Sequence, residues 1–270
     1  MLYAKLNDGN RMPMLGYGTY KIDSQDEARR CVTEALETGY RLIDTATLYN
    51  NEEGVGQAIA SCGLNRKELF VTTKLWTDVD CRDKVFKSTE NSLNKLKTDY
   101  LDLLLIHWPT AASVNVWQAM LELQQQGIVR SVGVSNFKQH HLNDVINASG
   151  VTPTVNQVEL HPLFQQKDLQ AYCKERNIVL QAWSPLMRAK ALEMDALAAI
   201  AAKYGVSVAQ LILRWDVQSG IATIPKTTNK GRMAENFDVF SFEISAEDML
   251  AIAELDKNER KYRDPDHHGF

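Results

Sequence analysis

An acid and a phenol sit five residues apart at the end of a short apolar run, in Arg41-Leu42-Ile43-Asp44-Thr45-Ala46-Thr47-Leu48-Tyr49. Two later apolar runs end in Lys74 and His107. Brought to one place, these four side chains could protonate a carbonyl oxygen. A free tyrosine titrates near about 10, too high to donate readily at neutral pH. A buried ammonium about 4 Å away, at an effective dielectric of about 20, contributes about 4 kcal/mol, or roughly three pKa units. Lys74 is therefore expected to bring Tyr49 near the working range. Asp44 would keep Lys74 charged and oriented, the helix start at Asn50-Asn51-Glu52-Glu53 would favour a tyrosinate, and His107 would orient the carbonyl oxygen. Taken singly, each has a plainer explanation. A lysine after a strand usually snorkels to solvent, and a lone histidine is usually a satisfied core or loop residue. The chemistry depends on four elements delivering the four residues together.

The elements that must do so are legible. Short apolar runs alternate with helical segments, the pattern of parallel βα units. Strands are expected at 15–19, 42–45, 69–74, 101–107, 129–135, 154–159, 178–183 and 221–225. Helices are expected at 26–38, 52–60, 82–97, 114–126, 138–148, 166–176 and 208–218, with extra helices at 192–203, 230–237 and 245–255. Ser207-Val208-Ala209-Gln210 has the form of a capping box. Residues 1–14 read as a hairpin around Asn7-Asp8-Gly9-Asn10, a cap ahead of the main fold. Eight βα units in this length predict an α/β fold, a (β/α)8 TIM barrel with an N-terminal β-hairpin cap and extra C-terminal helices. Its site lies at the C-terminal strand ends. The rival is a doubly wound sheet, but G-x-G-x-x-G is absent: Gly16-Tyr17-Gly18 runs on to Lys21, and Gly54-Val55-Gly56 lies inside a helix.

Polar residues at the strand ends would then face one mouth: Asp44, Lys74, His107, Ser135 with Asn136, Gln157 with Glu159, Trp183 with Ser184, and Lys226. The bulk properties exclude little else. With a net charge of -4 over 270 residues, neither nucleic acid nor an anionic membrane is an expected partner. Cys31, Cys62, Cys81 and Cys173 lack metal-ligand spacing, so free thiols and no metal are expected. With no leader pattern and no long apolar run, a cytoplasmic, monomeric enzyme forming one domain over residues 1–270 is the expectation.

The motif segments, in order, resemble the aldo-keto reductase family: Leu42-Ile43-Asp44-Thr45-Ala46 with Tyr49, Thr73-Lys74-Leu75-Trp76, Ile106-His107-Trp108-Pro109, Gly133-Val134-Ser135-Asn136-Phe137, Asn156-Gln157 with Glu159-Leu160-His161-Pro162, Trp183-Ser184-Pro185-Leu186 and Ile224-Pro225-Lys226. They span essentially the whole chain. The closest resemblance is to short 2,5-diketogluconate reductase and prostaglandin F synthase-like members.

The resemblance implies an NADPH-dependent reductase of aldehydes and ketones, with Asp44, Tyr49, Lys74 and His107 as catalytic residues and Tyr49 as the acid. It implies NADPH held without a Rossmann fold. Ser135, Asn136 and Gln157 would take the carboxamide and Trp183 would stack on the nicotinamide. Ser184 and Leu186 would clamp the pyrophosphate, with Gly18, Thr19, Tyr20 and Asp44 alongside. Lys226, Thr227, Thr228 and Arg232 would meet the 2′-phosphate beside a helix N-terminus. Glu235 and Asn236 match adenine contacts, though both read equally as exposed, solvated helix residues.

Tyr20, Tyr49, Trp76, His107 and Trp108 match substrate-lining positions for a small-molecule carbonyl, joined by the tail 257–270. Two departures matter. Met187-Arg188-Ala189 stands where the family has glycines, which puts the pyrophosphate clamp in doubt. The connection after His107 is short, so a low, open rim is expected there. The alternatives are specificity of the 2,5-diketogluconate, methylglyoxal or prostaglandin type, a Schiff-base aldolase acting through Lys74, and a non-catalytic NADPH-binding sensor.

Overall fold

In the computed structural model, which describes residues 1–269, the chain opens on an antiparallel hairpin of β1 (Tyr3–Lys5) and β2 (Arg11–Pro13). Eight parallel strands follow: β3 (Tyr17–Gly18), β4 (Leu42–Asp44), β5 (Phe70–Leu75), β6 (Leu101–Ile106), β7 (Val129–Ser135), β8 (Val155–Glu159), β9 (Val179–Trp183) and β10 (Ala222–Thr223). Each pairs with the next in chain order. The sheet closes on itself, because Gly16 N donates to Thr223 O at 2.9 Å and Thr223 N to Met14 O at 2.8 Å. The architecture is a (β/α)8 barrel, as the alternation predicts. Strand β10 is shorter than the expected 221–225. Pro225 has no N–H for a ladder, although its carbonyl still accepts from Gly18 N at 3.1 Å.

Seven helices alternate with the strands as α1 (Gln25–Thr38), α2 (Glu52–Ser61), α3 (Arg82–Leu96), α4 (Ser113–Gln125), α5 (Gln139–Ser149), α6 (Lys167–Glu175) and α8 (Val208–Gln218). The extra helices are α7 (Asp195–Tyr204), α9 (Lys230–Phe237) and α10 (Ala246–Ala253). Ser207 and Gln210 form the reciprocal cap at the start of α8. Helix α7 starts at Asp195 rather than at 192, because Met187–Glu193 forms a 3-10 segment kinked at left-handed Arg188 and Ala189, and Met194 is extended. Among the described residues no single helix is long and apolar enough to cross a membrane.

Side-chain alternation on the strands divides the core. Leu101, Leu104 and Ile106 of β6 join the layer between barrel and helices. Leu103 and Leu105 join a second cluster with Leu6 and Met12, so the hairpin plugs the N-terminal end of the barrel. Two glycines of α2 explain its place. A Cβ on Gly54 would lie 2.1 Å from Gln25 O, and one on Gly56 would lie 2.1 Å from Lys95 O. Only glycine lets α2 approach the start of α1 and the end of α3 so closely. With the N-terminal end plugged, polar chemistry is confined to the opposite mouth.

Candidate active site

Lys74, on β5, is fully buried and all three of its ammonium donors find acceptors. Nζ lies 2.5 Å from Asp44 Oδ1, 2.9 Å from Thr45 O and 3.3 Å from Tyr49 Oη. The second oxygen of Asp44 accepts from Gln157 Nε2 on β8 at 2.7 Å, so the acid is held from two sides of the barrel. Burial pushes the Asp44 carboxyl up and the Lys74 ammonium down, and each is the chief counterweight to the other. At these distances the pair is an ion pair.

Tyr49 reaches this pair from a 3-10 turn, Thr47–Tyr49, that ends at left-handed Asn50. Buried polar side chains lock the turn. Asn51 accepts from Thr45 Oγ1 at 2.8 Å and donates to Thr19 O and Ile22 O. Glu52 accepts from Thr73 Oγ1 at 2.6 Å. The helix start expected here is present, with both residues withdrawn from solvent.

The proton affinity of Tyr49 also departs from expectation. Burial, and then the Asp44 carboxylate, hold its phenol well above the ordinary tyrosine range. The ammonium is closer to Asp44 than to the phenol, so it neutralises the acid first. Tyr49 is a fully protonated donor.

His107 follows β6 with its ring edge-on to Tyr49 (5.7 Å) and to Trp76 (5.1 Å). Burial and the Lys74 ammonium push its pKa well below the usual histidine range, so the ring is neutral. Its Nδ1 is buried with no hydrogen-bond partner among the described residues.

A set of amides borders this group. Asn136, left-handed after β7, donates from Nδ2 to His107 O at 2.9 Å and to Ser135 Oγ at 3.2 Å, and its Oδ1 accepts from Trp183 Nε1 at 2.9 Å. Ser135 Oγ donates to Gln157 O at 2.8 Å. The buried Thr19 hydroxyl bonds Asp44 O at 3.0 Å, and Gly18 lies against Ile224 O, where an added Cβ would meet that oxygen at 2.9 Å.

The loop after β9 is left-handed at four positions without glycine. Ser184, Met187, Arg188 and Ala189 all take positive φ between 51° and 71°, the conformation glycines would supply. Such residues each cost on the order of 1 kcal/mol or more, so the loop is held by its neighbours. Farther out, Lys226 and Arg232 are exposed, Thr227 and Thr228 are half-buried, and Asn229 caps α9 through Arg232 N at 3.0 Å. Asn236 is buried and Glu235 half-buried, so neither is the freely solvated residue its place on a helix suggests.

The rim beyond His107 is not low. The tail after α10 crosses the mouth and brings the His268 ring to 5.4 Å from that of Trp108, with His268 Nε2 2.7 Å from Pro109 O. It is anchored by Lys138, whose Nζ is 2.6 Å from both Asp264 and Asp266, and Asp266 also meets His140 and His141 at 3.0 and 3.3 Å. The sequence names this tail but not which residues line the pocket; Phe270 lies outside the described residues. Exposed Tyr20 stacks 5.0 Å from Tyr49, and half-buried Trp76 and buried Trp108 complete an aromatic wall. The arrangement can hold a carbonyl between a protonated phenol and a neutral imidazole, over a buried ion pair.

The profile of the Aldo/keto reductase family matches residues 14–257. The chain is 46% identical to a glyoxal reductase of Bacillus subtilis, over 97% of this chain and 96% of that one. It is also 46% identical to a 9,11-endoperoxide prostaglandin H2 reductase of Trypanosoma cruzi, over 97% and 94%. The crystal structure of a Bombyx mori aldo-keto reductase in complex with NADP superposes with a TM-score of 0.92 at 39% identity, covering 98% of this chain and 96% of that one.

Proposed function

The chain belongs to the aldo/keto reductase family, and from that premise and the site geometry we propose that Tyr49 donates the proton in carbonyl reduction, with Lys74, Asp44 and His107 as its partners. The protein is an NADPH-dependent oxidoreductase that reduces aldehydes and ketones to alcohols. The observation that carries the residue assignment is the bonding of one ammonium to both Asp44 and Tyr49, beside a neutral His107.

Hydride transfer to the carbonyl carbon is the chemistry that NADPH supplies when bound. The residues present fit such a group: the Asn136 and Gln157 amides and the Trp183 ring border the tetrad, while Lys226 and Arg232, with no carboxylate partner among the described residues, flank the N-terminus of α9. Ser184 and Leu186 occupy the connection between these two groups. On the substrate side, His107 donates a hydrogen bond that orients the carbonyl oxygen. Tyr49 passes its proton to that oxygen as negative charge develops there. The Lys74 ammonium then stabilises the resulting phenolate, and Asp44 holds the ammonium in place.

A Schiff-base role for Lys74 fits poorly, because its nitrogen is withdrawn from solvent and committed to three acceptors. A sensor role leaves the proton-donating group without a purpose.

Small α-oxoaldehydes of the glyoxal and methylglyoxal kind are the substrates the pocket suits best. The walls are aromatic, from Tyr20, Trp76 and Trp108, and the tail raises the rim beside them. A bulkier prostanoid remains the second reading, supported by the side at Tyr20, which is 48% exposed. NADPH consumption over glyoxal, methylglyoxal, a keto-sugar and a prostanoid endoperoxide tests this. Strongest turnover of the small aldehydes supports the reading, and no reduction of any carbonyl overturns it.

A further inference from the structure

Tyr262 lies where the tail passes the end of β9, and it engages three groups of that loop at once. Its hydroxyl is 2.7 Å from Ser184 Oγ, its ring centre is 5.0 Å from that of Trp183, and the Arg188 guanidinium sits 4.8 Å over its face. Arg188 makes no ion pair among the described residues. The loop carrying left-handed Ser184, Met187, Arg188 and Ala189 is therefore braced by a residue of the tail rather than by glycine.

We propose that Tyr262 is a placeholder for the dinucleotide phosphates: it holds Ser184 and Arg188 on the cofactor side of the mouth and surrenders them when NADPH binds. This rests on the cofactor reading above. The magnitudes favour the exchange. A guanidinium over the half-buried Tyr262 ring gains about 0.5–2 kcal/mol, whereas a charge-assisted bond to a phosphate oxygen is roughly twice as strong as a neutral one and is often bidentate. The Ser184–Tyr262 contact is a neutral hydroxyl pair, and a phosphate oxygen needs the same donors.

Loss of these contacts releases the tail locally, while Lys261 N on Glu159 Oε1 (2.6 Å) and Lys138 on Asp264 hold it on either side. The same tail packs His268 on Trp108 farther along. Cofactor binding thus reaches the substrate wall through one continuous segment. By linkage, whatever NADPH loosens must, when removed, tighten NADPH binding.

The test is the Kd of NADPH for the full chain, read by quenching of tryptophan fluorescence, in wild type and Tyr262→Phe. This variant keeps the ring and removes only the hydroxyl. We expect NADPH to bind about threefold or more tighter, the scale of one competing neutral hydrogen bond. Hydrogen exchange of residues 257–269 in the wild type should also rise on saturation with NADPH. Unchanged or weaker binding by the variant, or greater protection of the tail on loading, would overturn the proposal. If the wild type does not bind NADPH at all, the cofactor reading falls and takes this inference with it; binding with unaltered affinity in the variant overturns the inference alone.

Discussion

The Lys74 ammonium and the Asp44 carboxylate lie 2.5 Å apart with both side chains withdrawn from solvent. Neither can be removed cheaply, since a buried charge stripped of its partner typically costs about 3–5 kcal/mol. Asp44→Ala is therefore expected to lose stability on that scale in urea, and the paired change Asp44→Leu with Lys74→Met to recover much of it. An unchanged urea midpoint in Asp44→Ala would show that the pair is not buried as described.

The raised proton affinity of Tyr49 makes the two reaction directions respond differently to pH. Its phenol keeps the proton until pH exceeds the ordinary tyrosine range, and His107 stays neutral because its pKa is depressed. Reduction, which consumes the phenol proton, should be level from about pH 6 to 8, while alcohol oxidation, which needs the phenolate, should climb with pH. Profiles of kcat/KM in both directions test this. A reduction rate that falls across that interval would contradict it.

Asp216, on α8, is fully buried and neither carboxylate oxygen reaches hydrogen-bond geometry, although the Thr223 hydroxyl lies close enough to offset part of the effect. Burial raises its pKa well above the usual carboxylate range, so the folded chain holds a proton that the unfolded chain gives up above about pH 4. Stability should fall as pH rises from there to the folded-state pKa, by about 1.4 kcal/mol for each pH step of one within that interval. Asp216→Asn should flatten this slope. Urea midpoints at pH 5 and pH 8 decide, and an equal slope in both proteins would refute the assignment.

Arg232 is exposed beside the start of α9, where we propose that it meets the 2′-phosphate. Arg232→Ala should weaken NADPH about tenfold or more, the worth of a bond to a charged group, and leave NADH nearly unaffected. Equal losses for both would remove the 2′-phosphate role.

What the sequence discloses follows from where regular structure carries the information. Asp44, Lys74 and His107 each lie at or just beside the C-terminal end of a buried strand, and parallel closure of the barrel brings such ends together, so their meeting is legible from the alternation of elements. Tyr262 and His268 are not legible in this way, because they lie in irregular chain without period, placed by Lys138 and Glu159 from distant elements. The proton affinity of Tyr49 escapes the sequence because it depends on whether the ammonium sits nearer the acid or the phenol. That difference, 2.5 against 3.3 Å, is below what spacing can encode. The conformation of the loop after β9 is hidden in a similar way, since neighbours hold its non-glycine residues Ser184, Met187, Arg188 and Ala189 left-handed.

The central claim, that Tyr49 supplies the proton, is tested most directly by Tyr49→Phe, with turnover of methylglyoxal and NADPH binding measured on the same preparation. The expected result is a loss of at least about 100-fold in kcat, the scale of a positioned general acid, with the NADPH Kd within about twofold of wild type. Turnover retained in the variant would contradict the account.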